Sequence, residues 1–159
     1  MRYVALGDSL TEGVGDPIAD GSLRGWADML AGALKRSNPD LDYRNLARRS
    51  LTAAQVRQSQ LEPALAVAPD LASVAVGMND VLAPSFDKNS FERDLVSLVH
   101  PLIESGATVL VGTLPEDLPL LRLMRGKAAA TRSRLKTVGA VVGAVCGDLG
   151  ALVVDAPEE

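Results

Sequence analysis

Two short polar segments of the sequence carry residue types that could perform nucleophilic chemistry. The first contains Ser9, which follows an apolar run at residues 3–6 and lies between Gly7 and Gly13. In such a glycine-flanked turn the hydroxyl of Ser9 would be exposed, and its own N–H could point at a developing oxyanion. The alternative is that Ser9 or Thr11 only caps a turn, and this segment alone does not separate the two interpretations.

The second segment supplies a hydrogen-bond donor for such an oxyanion. Asn79 follows the apolar run at residues 71–76, and its amide can donate without a change of protonation. The alternative for Asn79 is an Asx-turn that begins the next loop, which the segment by itself favours. Ser50 follows the run at residues 41–46 and is a third candidate, because its backbone N–H could also reach the oxyanion.

The predicted secondary structure places all three residues after strands. Five short runs rich in valine and leucine are predicted to be strands, at residues 3–6, 41–46, 71–76, 107–111 and 151–154. Segments with helical periodicity lie between them, at residues 23–37, 51–67, 89–105 and 118–149, the last as one helix or two. This alternation predicts a flavodoxin-like α/β fold, a three-layer sandwich around a five-stranded parallel sheet. Active sites of such folds lie outside the carboxyl ends of the strands.

Length and composition fit one ordered domain over residues 1–159, of which 47% are hydrophobic and 23% charged. The net charge of −4 argues against a nucleic-acid-binding protein and against a polybasic membrane protein. We find no signal-peptide pattern and no apolar run near the roughly 20 residues of a spanning helix, so we expect a cytoplasmic protein without membrane partners. A single cysteine, Cys146, excludes an internal disulfide and a cysteine-based zinc site.

The sequence contains one histidine, His100, which restricts any mechanism that needs an imidazole base. Apolar residues of the predicted helix at 89–105 cluster on the face of Phe91. At about 100° per residue, His100 lies on the opposite face. We therefore expect it at the surface in mid-helix, away from the strand ends, and not as a base for Ser9.

Together, the three polar segments resemble the SGNH, or GDSL, hydrolase family in content and order. Gly-Asp-Ser-Leu follows the first strand at residues 7–10, Asn-Leu-Ala the second at 45–47, and Gly-Met-Asn-Asp the third at 77–80. The likeness extends over essentially the whole chain. In that family the serine is the nucleophile, and its N–H, a glycine N–H and the asparagine side chain form the oxyanion hole.

The resemblance implies a role for each candidate residue. Ser9 matches the nucleophile, Asn79 matches the side-chain donor, and Ser50 falls where the family has a glycine. A positive φ at that position would strain Ser50. The implied activity is that of an esterase or lipase, which hydrolyses a small-molecule carboxylic ester through an acyl-enzyme without a metal or organic cofactor.

The chain departs from the family after its last strand. The family's Asp-x-x-His block, which supplies the base and its orienting carboxylate, has no counterpart, because no histidine follows Asp155. We therefore expect the chain to be impaired as a catalyst and to be C-terminally truncated, without its last covering helix. An apolar strip of the sheet beside the helix at 23–37 would then be uncovered, where a missing segment or self-association could cover it.

Two other functions remain open from the sequence. One is a non-catalytic binding or interaction module that keeps the fold and lacks the base. The other is a phosphate-binding protein that uses the loop at residues 7–15, although no Gly-Lys-Ser or Gly-Lys-Thr follows it. A basic stretch at residues 122–136 is interpreted as a solvated helix face and not as a surface for an anionic substrate or partner.

Overall fold

Strands and helices alternate along the chain in the computed structural model, which describes residues 1–14, 24–115 and 126–155. The strands are Arg2–Gly7 (β1), Asp42–Asn45 (β2), Leu71–Ala75 (β3), Thr108–Gly112 (β4) and Leu152–Val154 (β5). The helices are Ser9–Glu12 (α1), Trp26–Lys35 (α2), Ala53–Ala66 (α3), Met78–Leu82 (α4), Lys88–Glu104 (α5) and Ala128–Leu149 (α6). All five predicted strands are present, each within one residue of its predicted bounds.

The five strands form one sheet in the order β2-β1-β3-β4-β5, and every neighbouring pair is parallel. The predicted α/β fold with a five-stranded parallel sheet is therefore confirmed. The chain leaves β1 toward one side to form β2 and then returns to the other side to form β3. The connections thus diverge between β1 and β3, and in such sheets a crevice is expected at the carboxyl ends of the two strands where they diverge.

Helices cover both faces of the sheet. On one face, α3, α5 and α6 pack against each other and enclose the main core. The strand side chains of that core include Val4, Leu6, Val74 and Val111. On the other face, α2 covers a smaller core around Tyr3 and Ala5 of β1. Since β1 and β3 bury both faces, their sequences are almost continuously apolar.

Apolar side chains of β5 remain exposed on the face that α2 covers elsewhere. Leu152 is 55% exposed and Val154 is 48% exposed. Leu152 is the register partner of Leu110, which packs against the α2 core, so the two residues lie on the same face. Val153, on the opposite face, is also 41% exposed, as expected for the edge strand of the sheet, so the predicted uncovered strip beside α2 stays a prediction.

Several predicted features lie outside the described residues. They include the first part of the predicted helix at 118–149, the basic residues Arg122 and Arg125, and residue Gly15 of the phosphate-loop hypothesis. No helix in the described part of the chain is long and apolar enough to cross a membrane.

Candidate active site

Ser9 begins the one-turn helix α1 directly after β1 and is half-buried. The sequence predicts only a loop here, because four helical residues are too few to show periodicity. Asp8 caps this helix, since its Oδ1 accepts a hydrogen bond of 3.1 Å from the N–H of Leu10. The hydroxyl of Thr11 is buried and has no partner among the described residues. The residue that caps this turn is therefore Asp8, and not Ser9 or Thr11.

A buried glutamine fixes the end of β1 just before Ser9. The N–H of Gly7 donates to Oε1 of Gln60, and Nε2 of Gln60 donates to the carbonyl of Gly7, each at 2.9 Å. Gln60 is only 2% exposed. A Cβ on Gly7 would lie 2.6 Å from the carbonyl oxygen of Ala75, so no larger residue fits between β1 and β3. The Ser9 turn is thus anchored to α3.

Gln60 was not among the predicted site residues, although the sequence contains a signal for it. Gln60 lies four residues after Val56 and four before Ala64, and both of these are buried on α3. A polar residue in register with an apolar helical stripe is expected to face the core and to need a partner there. The spacing predicts that Gln60 points inward, but it does not identify Gly7 as its partner.

Asn79 is the second residue of the five-residue helix α4, and its side chain reaches across to both neighbouring segments. Its Nδ2 donates to the carbonyl of Leu51 at 2.9 Å and to Oδ2 of Asp8 at 3.1 Å. The Asx-turn alternative is wrong, because Asn79 lies inside α4 and no N–H of the described residues donates to its Oδ1. The structure therefore brings the segments of Ser9, Ser50 and Asn79 together at the crevice between β1 and β3.

Ser50 lies on the exposed loop after β2, with a φ of 67°. The loop is tied to α1 by Arg49, whose N–H, Nε and Nη2 reach the carboxylate of Glu12 at 2.7, 3.2 and 3.2 Å. Burial acts against ionisation of Glu12, but these bonds lower its pKa below the ordinary value.

In the described part of the chain, the backbone N–H groups of Ser9 and Ser50 donate to no acceptor. Both N–H groups are therefore available to an oxyanion.

Replacing Ser50 with glycine is expected to stabilise the protein by about 1 kcal/mol. A side chain in the left-handed region costs roughly 1–3 kcal/mol, and the greater freedom of glycine in the unfolded chain offsets part of that gain. Urea denaturation of Ser50→Gly against the parent protein measures the difference. Ser59→Gly, on the exposed face of α3, is the matched control and should be destabilising. A Ser50→Gly variant that is less stable than the parent would contradict backbone strain at Ser50.

Two carboxyl groups lie inside the site. Asp8 is 1% exposed, and burial raises the pKa of its carboxyl group to about 6. The negative charge of Asp80 also raises this pKa, whereas hydrogen bonds from the N–H of Leu10 and the side chain of Asn79 lower it. Burial also raises the pKa of Asp80, although its carboxylate accepts the N–H of Ala53, the first residue of α3, at 3.0 Å. Neither Asp8 nor Asp80 was among the site residues predicted from the sequence.

An arginine from α6 holds the end of α4. Nη1 of Arg134 donates to the carbonyls of Val81 and Ala83, at 2.9 and 2.8 Å, and the guanidinium lies 5.4 Å from the ring centroid of Phe86. These carbonyls belong to the last turn of the helix that carries Asn79, where a cation is favourable. The prediction of a solvated basic face is thus wrong for Arg134, which binds the protein itself.

His100 lies far from the site, as predicted. It is on α5, near the end of that helix and before β4 begins, so it is at the amino-end edge of the sheet. Its side chain is 49% exposed, and its Nδ1 is 3.4 Å from the carboxylate of Glu104. Ser9 and Asn79 lie at the opposite edge, so His100 cannot take a proton from Ser9.

The arrangement brings together one hydroxyl, the free backbone N–H groups of Ser9 and Ser50, and the Asn79 amide, whose two hydrogens bond Asp8 and Leu51 in this conformation. That combination can stabilise a tetrahedral oxyanion formed by attack of a serine on a carbonyl carbon. In the part of the chain that the structure describes, no three histidine, cysteine, aspartate or glutamate side chains cluster as metal ligands do.

A comparison with protein families gives one match that covers nearly the whole chain. The model of the GDSL-like Lipase/Acylhydrolase family matches residues 5–159. No curated protein sequence matches the chain significantly.

Solved structures share the fold at low sequence identity. LAE5, an α/β hydrolase from the metagenome of Lake Arreo in Spain, has a TM-score of 0.77 at 19% identity, over 97% of this chain and 76% of that one. Axe2-W215I, a variant of an acetyl xylan esterase from Geobacillus stearothermophilus, has a TM-score of 0.75 at 20% identity, over 97% and 75%. The esterase EstA from Pseudoalteromonas sp., in a structure inhibited by monoethylphosphonate, has a TM-score of 0.71 at 17% identity, over 98% and 76%. At these identities the likeness shows the three-layer fold.

Proposed function

Since this chain belongs to the GDSL-like lipase/acylhydrolase family, we propose that it acts on small carboxylic esters with Ser9 as the nucleophile. Asn79 and the backbone N–H groups of Ser9 and Ser50 would form the oxyanion hole. The observation that carries the proposal is the pair of hydrogen bonds from Asn79, to Asp8 beside the nucleophile and to Leu51 beside Ser50. Through that pair, one side chain joins the three segments that the reaction requires.

The proposed reaction has two steps. Oγ of Ser9 attacks the carbonyl carbon, its proton passes to a base, and the carbonyl oxygen becomes an oxyanion held by the three donors. The bond from carbon to the alcohol oxygen then breaks, and the alcohol leaves with a proton. Water attacks the resulting acyl-enzyme, releases the carboxylic acid and restores Ser9. No step requires a metal or an organic cofactor.

No histidine is placed to act as the base of this reaction, since the sequence contains only one and the structure places it away from Ser9. The only histidine, His100, lies at the opposite edge of the sheet, so no imidazole activates the hydroxyl of Ser9, and an unactivated hydroxyl is a weak nucleophile. When a triad member is lost, the oxyanion hole and binding still leave an acceleration of roughly 10³–10⁴ over water. We therefore propose that the chain alone is an impaired esterase, and that a base from outside these residues would restore its rate.

Imidazole in solution tests this proposal, because it can replace a missing histidine side chain. Hydrolysis of p-nitrophenyl acetate at pH 7 should rise at least about ten-fold with tens of millimolar imidazole, beyond the reaction of imidazole alone. The Ser9→Ala variant is the control and should show only the background rate. An equal response to imidazole in parent and variant would exclude Ser9 as the nucleophile.

A non-catalytic binding module is the second candidate, and the absence of a histidine beside Ser9 favours it. A fluorophosphonate separates the two functions, since phosphonylation requires an attacking serine. EstA, which shares the fold, is inhibited by a phosphonate, which supports the choice of probe. Slow labelling of Ser9, accelerated by imidazole, supports the esterase. Complete lack of labelling under both conditions supports the binding module.

A further inference from the structure

The Asn79 amide has no free hydrogen in this conformation. A primary amide carries two N–H hydrogens. One of them bonds the carbonyl of Leu51 and the other bonds Oδ2 of Asp8, so both are used within the protein. An oxyanion that needs the Asn79 side chain must therefore displace one of these two acceptors.

Of the two acceptors, Asp8 is the one whose hydrogen bond to Asn79 can be weakened by a change of protonation. The Leu51 carbonyl has a fixed position in the backbone and does not titrate. The Asp8 carboxyl group can be neutralised, and a neutral carboxyl oxygen is a weaker acceptor than a carboxylate. A carboxylate beside the forming oxyanion would also repel it, since the two negative charges would share a buried crevice.

Resting on the proposed function, we infer that Asp8 is a positioning residue that controls the oxyanion hole. In its ionised form it holds the second amide hydrogen of Asn79, and in its protonated form it releases that hydrogen to the oxyanion. Asp8 itself does not touch the reacting atoms; it acts through Asn79.

The surroundings of Asp8 favour such a change of protonation near neutral pH. From α4, the carboxylate of Asp80 faces it with a like charge. The charge of Glu12 on α1 is paired with Arg49 of the loop after β2, and α3 contributes the uncharged Gln60 to the adjacent Gly7. With burial as the main cause, the pKa of Asp8 rises to about 6, so both protonation states are populated at moderate pH.

Nuclear magnetic resonance tests the inference without any need for activity. The side-chain N–H signals of ¹⁵N-labelled Asn79, identified by their loss in Asn79→Ala, should shift with an apparent pKa near 6. In Asp8→Asn that titration should disappear. In Asp80→Asn it should persist at a lower midpoint, because a like charge beside Asp8 is removed. A titration that is absent from the parent protein, or that survives in Asp8→Asn, overturns the inference.

The rate of fluorophosphonate labelling provides a second readout. In that reaction Oγ of Ser9 bonds to phosphorus, fluoride leaves, and the hydroxyl proton goes to the buffer. At pH 8, two pH units above a pKa of about 6, roughly one molecule in a hundred has a protonated Asp8. Asp8→Asn should therefore label up to about 100-fold faster than the parent at pH 8, and almost equally at pH 5.

The two readouts separate failure of the inference from failure of the proposed function. Equal labelling of the parent and Asp8→Asn at pH 8 contradicts control by Asp8, even if Ser9 is the nucleophile. The Asn79 signals could instead titrate in dependence on Asp8 while fluorophosphonate fails to label Ser9. That result would support the contact between Asp8 and Asn79 and contradict the proposed esterase activity.

Discussion

Replacing Asn79 with alanine is expected to slow imidazole-supported ester hydrolysis by about 10²–10³-fold, the usual cost of removing one oxyanion donor. The amide is the side-chain donor of the proposed hole, and alanine cannot substitute for it. Because the donor acts on the tetrahedral intermediate, the loss should appear in kcat, with little change in KM. Steady-state kinetics of parent and variant, at pH 7 and a fixed imidazole concentration, measure both constants.

Removal of Asn79 also breaks its bonds to Asp8 and Leu51, so the folding of the variant must be measured separately. Its urea midpoint shows whether the protein is folded under the assay conditions. Asn89→Ala, at an exposed position on α5, removes the same amide elsewhere and should keep the parent rate. A kcat for Asn79→Ala within about three-fold of the parent would remove Asn79 from the oxyanion hole.

Replacing Gln60 with leucine is expected to destabilise the protein by about 2–4 kcal/mol, because it removes two hydrogen bonds from a dry interior. The N–H of Gly7 would lose its bond to the Gln60 side chain. The carbonyl of Gly7 would lose its bond from Nε2 of Gln60 and keep a bond of 3.2 Å from the N–H of Arg48. The midpoint and slope of urea denaturation give the free energy of unfolding for parent and variant.

Two further variants make the Gln60 prediction specific. Gln58→Leu, on the exposed side of α3, makes the same chemical change and should alter stability by less than about 0.5 kcal/mol. In Gln60→Glu, the protonated acid can both donate to the carbonyl of Gly7 and accept its N–H, as the amide does. Burial would raise the pKa of that acid in the folded state, so its stability should be near the parent's at pH 4.

As the pH rises above 4, the unfolded chain releases the proton before the folded one does. Gln60→Glu should therefore lose up to about 1.4 kcal/mol for each pH unit, until the pH passes its folded-state pKa. The stability of the parent protein, measured over the same pH range, gives the reference curve. A difference between the two that is constant with pH would mean that residue 60 is hydrated and does not bond Gly7 as described.

The fold was predictable because strands buried on both faces leave nearly continuous apolar runs, as β1 and β3 do. The positions of Ser9 and Asn79 were predictable for a related reason, since parallel strands bring their carboxyl ends to one edge. The helices α1 and α4, on which these residues lie, were missed because four or five residues contain little more than one turn.

The residues that hold the site in place were harder to predict. Arg134 lies in a basic stretch whose local pattern is that of a solvated surface, and its acceptors are the carbonyls of Val81 and Ala83, which any sequence would present. Asp8 belongs to a recognisable motif, but its contact with Asn79 spans 71 residues. Local periodicity reports which face a residue occupies, and it contains no information on such distant partners.

The contact between Arg134 and α4 also affects the order in which the site can be built during synthesis. A chain leaves the ribosome from its N-terminus, at roughly 5–20 residues per second. Arg134 follows Val81 by 53 residues, so Ser9, Ser50 and Asn79 all emerge well before the side chain that secures the last turn of α4. The segments of the proposed site can therefore emerge early, but the last turn of α4 gains its bonds from Arg134 only when α6 has emerged and packed.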